Sequence, residues 1–207
     1  MTKVPALGQA QDFVSEAEKL NPGEWIDHSM VVAEAARAIA AKHKNLDSET
    51  AYVLGMLHDI GRRVGRVGMR HIVEGYKFLT AQGFHDAARI CLTHSFPCKE
   101  VRLDFTKWDC PEADCMLVRR FLDEIEYNDY DRLLQLCDFI ALTVGPCLLE
   151  KRMVSAVLRS NGNWAADQMI MKWTATFAIQ REFEESIGSS IYSLLPGVIE
   201  NTFGFVP

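Results

Sequence analysis

The stretch Ala51 to Arg63, AYVLGMLHDIGRR, runs an apolar helix straight into His58-Asp59, and Gly61 follows two residues later. An imidazole and a carboxylate are both costly to bury without partners. Together they form a nitrogen-plus-oxygen pair suited to a divalent cation. Four more residues of metal-binding type sit in or beside apolar helical segments: His28, His71, His94 and Asp138. Asp138 lies in LLQLCDFIAL, where an unpaired carboxylate is strongly unfavourable and a metal ion or a hydrogen-bonded histidine would satisfy it. Successive helical residues point about 100° apart. His58 and Asp59 can therefore face one ion only from near a helix end, and Gly61 permits such an end.

Taken singly, these residues have plainer readings. A lone helical histidine such as His28 or His94 is more often a hydrogen-bonded core or surface residue, and Asp138 alone fits a structural acid bonded to backbone. The weight rests on the set. His43, in AAKHKN, is flanked by lysines and reads as solvated. His85-Asp86 is a second His-Asp dipeptide, but it opens a helix after Gly83-Phe84. An acid there caps the helix and complements its dipole, and no apolar helix leads in, so it is set aside.

The elements that must position the six candidates are helical, because the periodicity is helical almost throughout. The expected fold class is all-α. A short amphipathic helix covers about 9 to 20 and is ended by Asn21-Pro22-Gly23. A second starts near Trp25 to Asp27, with His28 in its first turn and Val31, Val32, Ala35 and Ile39 along one face. Asp47-Ser48 cap a third, which ends at His58-Asp59. GRRVGRVGMR, residues 61 to 70, reads as a loop with three glycines and four arginines. His71 opens the next helix, and Gly83 closes it as a C-cap. Further helices are expected over about His85 to Ser95, Glu112 to Tyr127, Asp131 to Thr143, Leu148 to Arg159 and Trp164 to Glu185. Met116, Phe121, Leu122 and Ile125 form the apolar set of the Glu112 helix, and Asp138 falls inside the Asp131 helix. Phe96 to Pro111 reads as irregular. The tail, Ile191 to Pro207, is apolar and is expected to pack back on the body.

Bulk properties narrow the class. A chain of 207 residues, 48% hydrophobic and 24% charged, suits one large domain with a substantial core. A net charge of -6 argues against broad binding to nucleic acid or an anionic membrane. The N-terminus lacks the apolar core of a signal peptide, and the apolar run Phe139 to Leu149 is too short to span a bilayer. The six cysteines show no C-x-x-C spacing, so reduced thiols in a cytoplasmic protein are expected.

The order His, then His-Asp, then Asp, in an all-helical chain of this size, resembles the HD-domain superfamily of metal-dependent phosphohydrolases. HDIGR is similar to the HDIG wording of one subgroup. His71-x-x-x-Gly75, then Leu79, Gly83-Phe84 and His94, resembles its continuation. The likeness runs from about His28 to Asp138, over half the chain. It implies a small stand-alone member: one HD domain over residues 1–207, with a metal-site core at about 25–145 and C-terminal helices at 147–207 packed on it. It also implies that His28, His58, Asp59 and Asp138 hold a first ion, with His58 and Asp59 as the catalytic pair. His71 and His94 match the extra histidines of two-metal members, with Asp59 bridging. One or two ions of iron, manganese, zinc or nickel are expected, since histidine with carboxylate suits these better than magnesium or calcium.

A bound divalent ion lowers the pKa of water and polarises a phosphoryl oxygen. Charge building on phosphorus needs cations nearby, which directs attention to Arg62, Arg63, Arg66 and Arg70, whose planar forks suit phosphate oxygens. The plainer reading of these arginines is a solvated basic loop. Lys151 and Arg152 are weaker candidates for the same phosphate contact, and Glu150 beside them suggests ordinary helix-surface pairing. The expected substrate is a nucleotide, a dinucleoside polyphosphate or another small phosphoester, not a nucleic acid duplex or a membrane. Members that cut cyclic dinucleotides often carry a Gly-Tyr-Pro motif after the core. Here the only similar letters are Gly75-Tyr76-Lys77, in the wrong place. The alternatives are a di-iron oxygenase of the same fold and a non-catalytic metal-binding signalling module.

Overall fold

The computed structural model describes residues 3–99, 108–159 and 166–204. Among them the chain forms ten α-helices and no strand: α1 (Leu7–Leu20), α2 (Trp25–Ala40), α3 (Ser48–Leu57), α4 (Arg70–Ala81), α5 (His85–Thr93), α6 (Glu112–Glu124), α7 (Asp129–Asp138), α8 (Leu149–Arg159), α9 (Ala166–Ile187) and α10 (Val198–Phe203). An isolated bridge joins Ala141 to Pro146. No described helix is long and apolar enough to cross a membrane.

Small residues set how closely the central helices pack. α2 buries Ala33, Ala35, Ala36 and Ala40 and packs chiefly on α3. A Cβ on Gly55 of α3 would lie 2.6 Å from the Ala33 Cα, so the two backbones touch. Asp47 caps α3 by accepting from the Thr50 backbone N–H at 2.7 Å. α4 turns into α5 at Gly83, whose φ of +83° suits glycine. There the N–H of Phe84 returns to Leu79 O, the closure of a Schellman-type end. A second apolar cluster, with Met69, Ile72, Leu92, Phe96, Val118 and Leu122, seats α6 over α4 and α5.

Several boundaries differ from the sequence reading, each for a local reason. Residues 61–70 are not wholly loop, because Ile60–Val64 winds a 3-10 turn. α6 stops at Glu124, since Ile125 is extended and Asn128 and Asp131 form a reciprocal capping box that starts α7. Met116 is 55% exposed, and Val118 and Leu122 carry the buried face of α6. α7 ends at Asp138, not Thr143. Beyond it the chain folds on itself, with Cys147 N–H bonded to Ile140 O and Leu142 N–H to Gly145 O. Asp138 is therefore a helix-end residue. The tail packs back through Ile191, Leu195 and Val198, all buried, and the Leu148 N–H donates to Thr202 Oγ1 at 3.0 Å. Residues 100–107 of the expected irregular stretch, the start of the Trp164 helix and residues 205–207 lie outside the described residues.

Candidate metal centre

The six candidate ligands meet at helix ends. His58 is the C-cap of α3, and Asp59 follows it. His94 is the C-cap of α5, and Asp138 is the last residue of α7. His28 and His71 stand in the first turns of α2 and α4. Three helix C-termini thus converge on one point. Each carries roughly half a negative charge from its unpaired carbonyls, which favours a cation there.

Two overlapping groups have ligand atoms within 4.8 Å of one another: His28, His58 and Asp138; and His58, Asp59 and His94. His28 Nε2 lies 2.9 Å from Asp138 Oδ1. Asp59 Oδ1 lies 3.0 Å from His71 Nε2 and 3.7 Å from His94 Nε2. The two latter nitrogens are 3.5 Å apart. His58 Nε2 is 3.9 Å from Asp59 Oδ2.

The backbone sets the tautomers. His58 Nδ1 lies 2.7 Å from Gly55 O, His71 Nδ1 2.6 Å from Gly68 O, and His94 Nδ1 3.0 Å from Ile90 O. A carbonyl can only accept, so each Nδ1 carries the proton and each Nε2 turns a lone pair inward. Lone pairs of nitrogen and carboxylate then face each other. His58 Nε2 and Asp59 Oδ1 are buried with no hydrogen-bond partner among the described residues. Such a pair is expensive as it stands and fits a cation between the groups.

The electrostatics agree. Burial pushes the His58 imidazole below its usual pKa and takes that of His94 down to about 3, so both stay neutral and ready to ligate. Burial works against ionised Asp59, but the Arg62 guanidinium beside it outweighs that cost and holds the carboxyl well below the usual range. Asp138 is mostly buried, and the hydrogen bond from His28, with the Arg152 guanidinium near by, keeps it ionised.

Of the four arginines after the His-Asp pair, Arg62 reaches the cluster, with Nε donating to Asp59 Oδ2 at 2.6 Å. Arg63 pairs with Glu16 of α1 at 2.9 Å and stacks 4.0 Å over the Phe78 ring. Arg70 pairs with Glu74, and Arg66 is exposed.

Residues outside the six also shape the site. Asp109 accepts from the N–H groups of Gly68 and Arg70 at 2.8 and 2.9 Å. It thereby holds the turn whose Gly68 O orients His71. Nothing local in sequence signals a partner about 40 positions away. Asp131 is fully buried and locks α7 to α5 through Arg89 and Thr93 Oγ1. Gln135 ties the end of α5 by donating to Thr93 O and Phe96 O. Asn128-x-x-Asp131 is a readable capping pattern, and Gln135 is a polar residue in an apolar run; both were available signals.

A search of curated proteins and a search of solved structures return no match to the chain. The family model described as "HD domain" matches residues 25–141, more than half of the chain, and the matched segment holds all six clustered residues. HD domains bind divalent metal ions, and the buried histidine–aspartate group fits one. With the fold, the ligand order and the matched segment in agreement, the chain belongs to the HD domain family.

Proposed function

We propose that this protein is a metal-dependent phosphohydrolase that acts on a nucleotide or another small phosphoester. The observation that carries the reading is the orphaned pair, His58 Nε2 and Asp59 Oδ1, buried inside a ring of inward-facing histidines. His28, His58, Asp59 and Asp138 would hold one ion. His71 and His94 would hold a second, with Asp59 between the two. A divalent ion bound there supplies a water of lowered pKa and polarises a phosphoryl oxygen.

The chain's own residues do the rest. The carbonyls of Gly55, Gly68 and Ile90 keep the three imidazoles in the Nε2-in tautomer. The Arg62 guanidinium, on a side chain 30% exposed beside Asp59, stands where it can meet charge developing on phosphoryl oxygen. Of the four arginines, Arg62 beside Asp59 is the proposed substrate contact. His58, Asp59, His71 and His94 are almost wholly buried, whereas Asp138 and His28 reach the surface. Exposure limited to these two side chains suits the phosphoryl end of a small molecule better than a duplex.

The test is a phosphate-release screen over nucleotides and small phosphoesters, with manganese- or iron-loaded protein and metal content measured alongside. Turnover that a chelator abolishes, and that Asp59→Ala loses together with its metal, is expected. Metal-loaded wild type inert on the whole panel, or Asp59→Ala with full metal and full turnover, would reject the assignment.

A further inference from the structure

Arg152 is not the surface residue that its neighbours Glu150 and Lys151 suggest. α8 turns its Leu149 and Met153 into the core, and the Arg152 side chain goes with that face, four-fifths buried at 19% exposure. Its Nε is buried with no hydrogen-bond partner among the described residues. The carboxylate beside it, Asp138 Oδ1, lies 4.0 Å from Nη2, too far for a hydrogen bond, and that oxygen already pairs with His28 Nε2 at 2.9 Å. A guanidinium Nε–H is a donor, and withdrawing it from water without an acceptor is costly. The charge balance of Asp138 does not account for this placement, because a structural ion pair would close to contact.

The location adds a second observation. Asp138 and Arg152 are both partly open to solvent, at 17% and 19%, on the side where the cluster reaches the surface. Arg62 stands beside Asp59. Two guanidiniums therefore stand at the two aspartates of the ligand set. Arg152 comes from α8, outside the family-matched residues 25–141. Resting on the phosphohydrolase reading, we propose that Arg152 forms an anion subsite at the Asp138 side of the centre and donates to a phosphoryl oxygen of the substrate. A planar fork of donors at an opening selects a tetrahedral oxyanion over a neutral ligand.

The experiment is calorimetric titration of inorganic phosphate into manganese-loaded wild type, Arg152→Ala and Arg152→Lys, with metal content and thermal melts recorded for each. Wild type is expected to bind phosphate. The alanine variant should bind at least about tenfold more weakly, the scale of a lost charge-assisted hydrogen bond. Lysine keeps the charge without the fork and should fall between; it also serves if the alanine variant does not fold. Metal content should not change in either. Equal phosphate affinity in all three proteins overturns the subsite and leaves the phosphohydrolase reading standing. Loss of metal from the variants overturns it too, by making Arg152 a support for Asp138. A metal-loaded wild type that binds no phosphate rejects the phosphohydrolase reading itself, and the subsite with it.

Discussion

Gly61→Ala is the sharpest probe of how the fold holds the site. Gly61 is not needed for a positive φ; it sits in the 3-10 turn because α4 crosses directly over it. A Cβ there would lie 1.9 Å from His71 O and 2.4 Å from Gly75 N, both backbone atoms. To reach the roughly 3.5 Å at which heavy atoms rest, α4 must retreat by about 1.5 Å. It cannot retreat freely, since a Cβ on Gly75 would already be 2.8 Å from Cys91 Sγ on α5. Overpacking costs about 1–3 kcal/mol where side chains can adjust. With backbone on both sides the expected loss is at least about 3 kcal/mol, a large share of a typical stability of about 5–15 kcal/mol. The same shift carries His71 away from Asp59 Oδ1, now at 3.0 Å, and metal–ligand distances tolerate only about 0.2 Å. On the proposed two-ion reading, the His71–His94 side should therefore lose its ion first, while the group with His28, His58 and Asp138 keeps its own. Urea unfolding followed by circular dichroism, with metal analysis per chain, reads both effects. Gly8→Ala, with no atom within 4 Å of the new methyl, is the control and should be neutral or stabilising. A Gly61→Ala protein within about 1 kcal/mol of wild type and with full metal content would refute the packing argument.

Two further outcomes follow from the same geometry. Asp131→Ala removes the buried acceptor of Arg89, which is itself 22% exposed and bonded also to Glu126 O; the expected cost is near the lower end of the roughly 3–5 kcal/mol for a broken buried pair, read by urea melts, and a cost under about 1 kcal/mol would make the α5–α7 lock dispensable. Asp47→Ala should cost about 1 kcal/mol at neutral pH through loss of the α3 cap, with metal content unchanged. The Asp47 carboxyl is held below its ordinary value, mainly by the Thr50 backbone N–H, so its contribution is present above the unfolded pKa of about 3.9 and is lost as pH falls through the lower folded value. The difference between wild type and variant should accordingly shrink in acid, and one that grows there would contradict the cap's charge.

The sequence by itself determined the helical class, most helix starts and the six polar residues that apolar helices carry to one place. Those signals are local: periodicity, caps such as Asp47 and Gly83, and the cost of burying an unpaired imidazole or carboxylate. The end of α7 at Asp138 was not legible, because the apolar residues after it are equally compatible with more helix, and only the Ile140–Cys147 backbone pairing stops it. Nor was the inward turn of Arg152, whose sequence neighbours are charged and whose burial depends on where α8 lands. The tertiary structure also decided that Gly61 is a contact glycine and that Arg63 belongs to Glu16 and Phe78. Above all it decided which atoms face inward. A histidine's type and position say that it can ligate, but which nitrogen it offers is set by a carbonyl such as Gly68 O, and the turn carrying that carbonyl is held by Asp109 from across the chain. Spacing along one chain encodes what each residue can do. Orientation is a property of packed neighbours, and those come together only when the helices do.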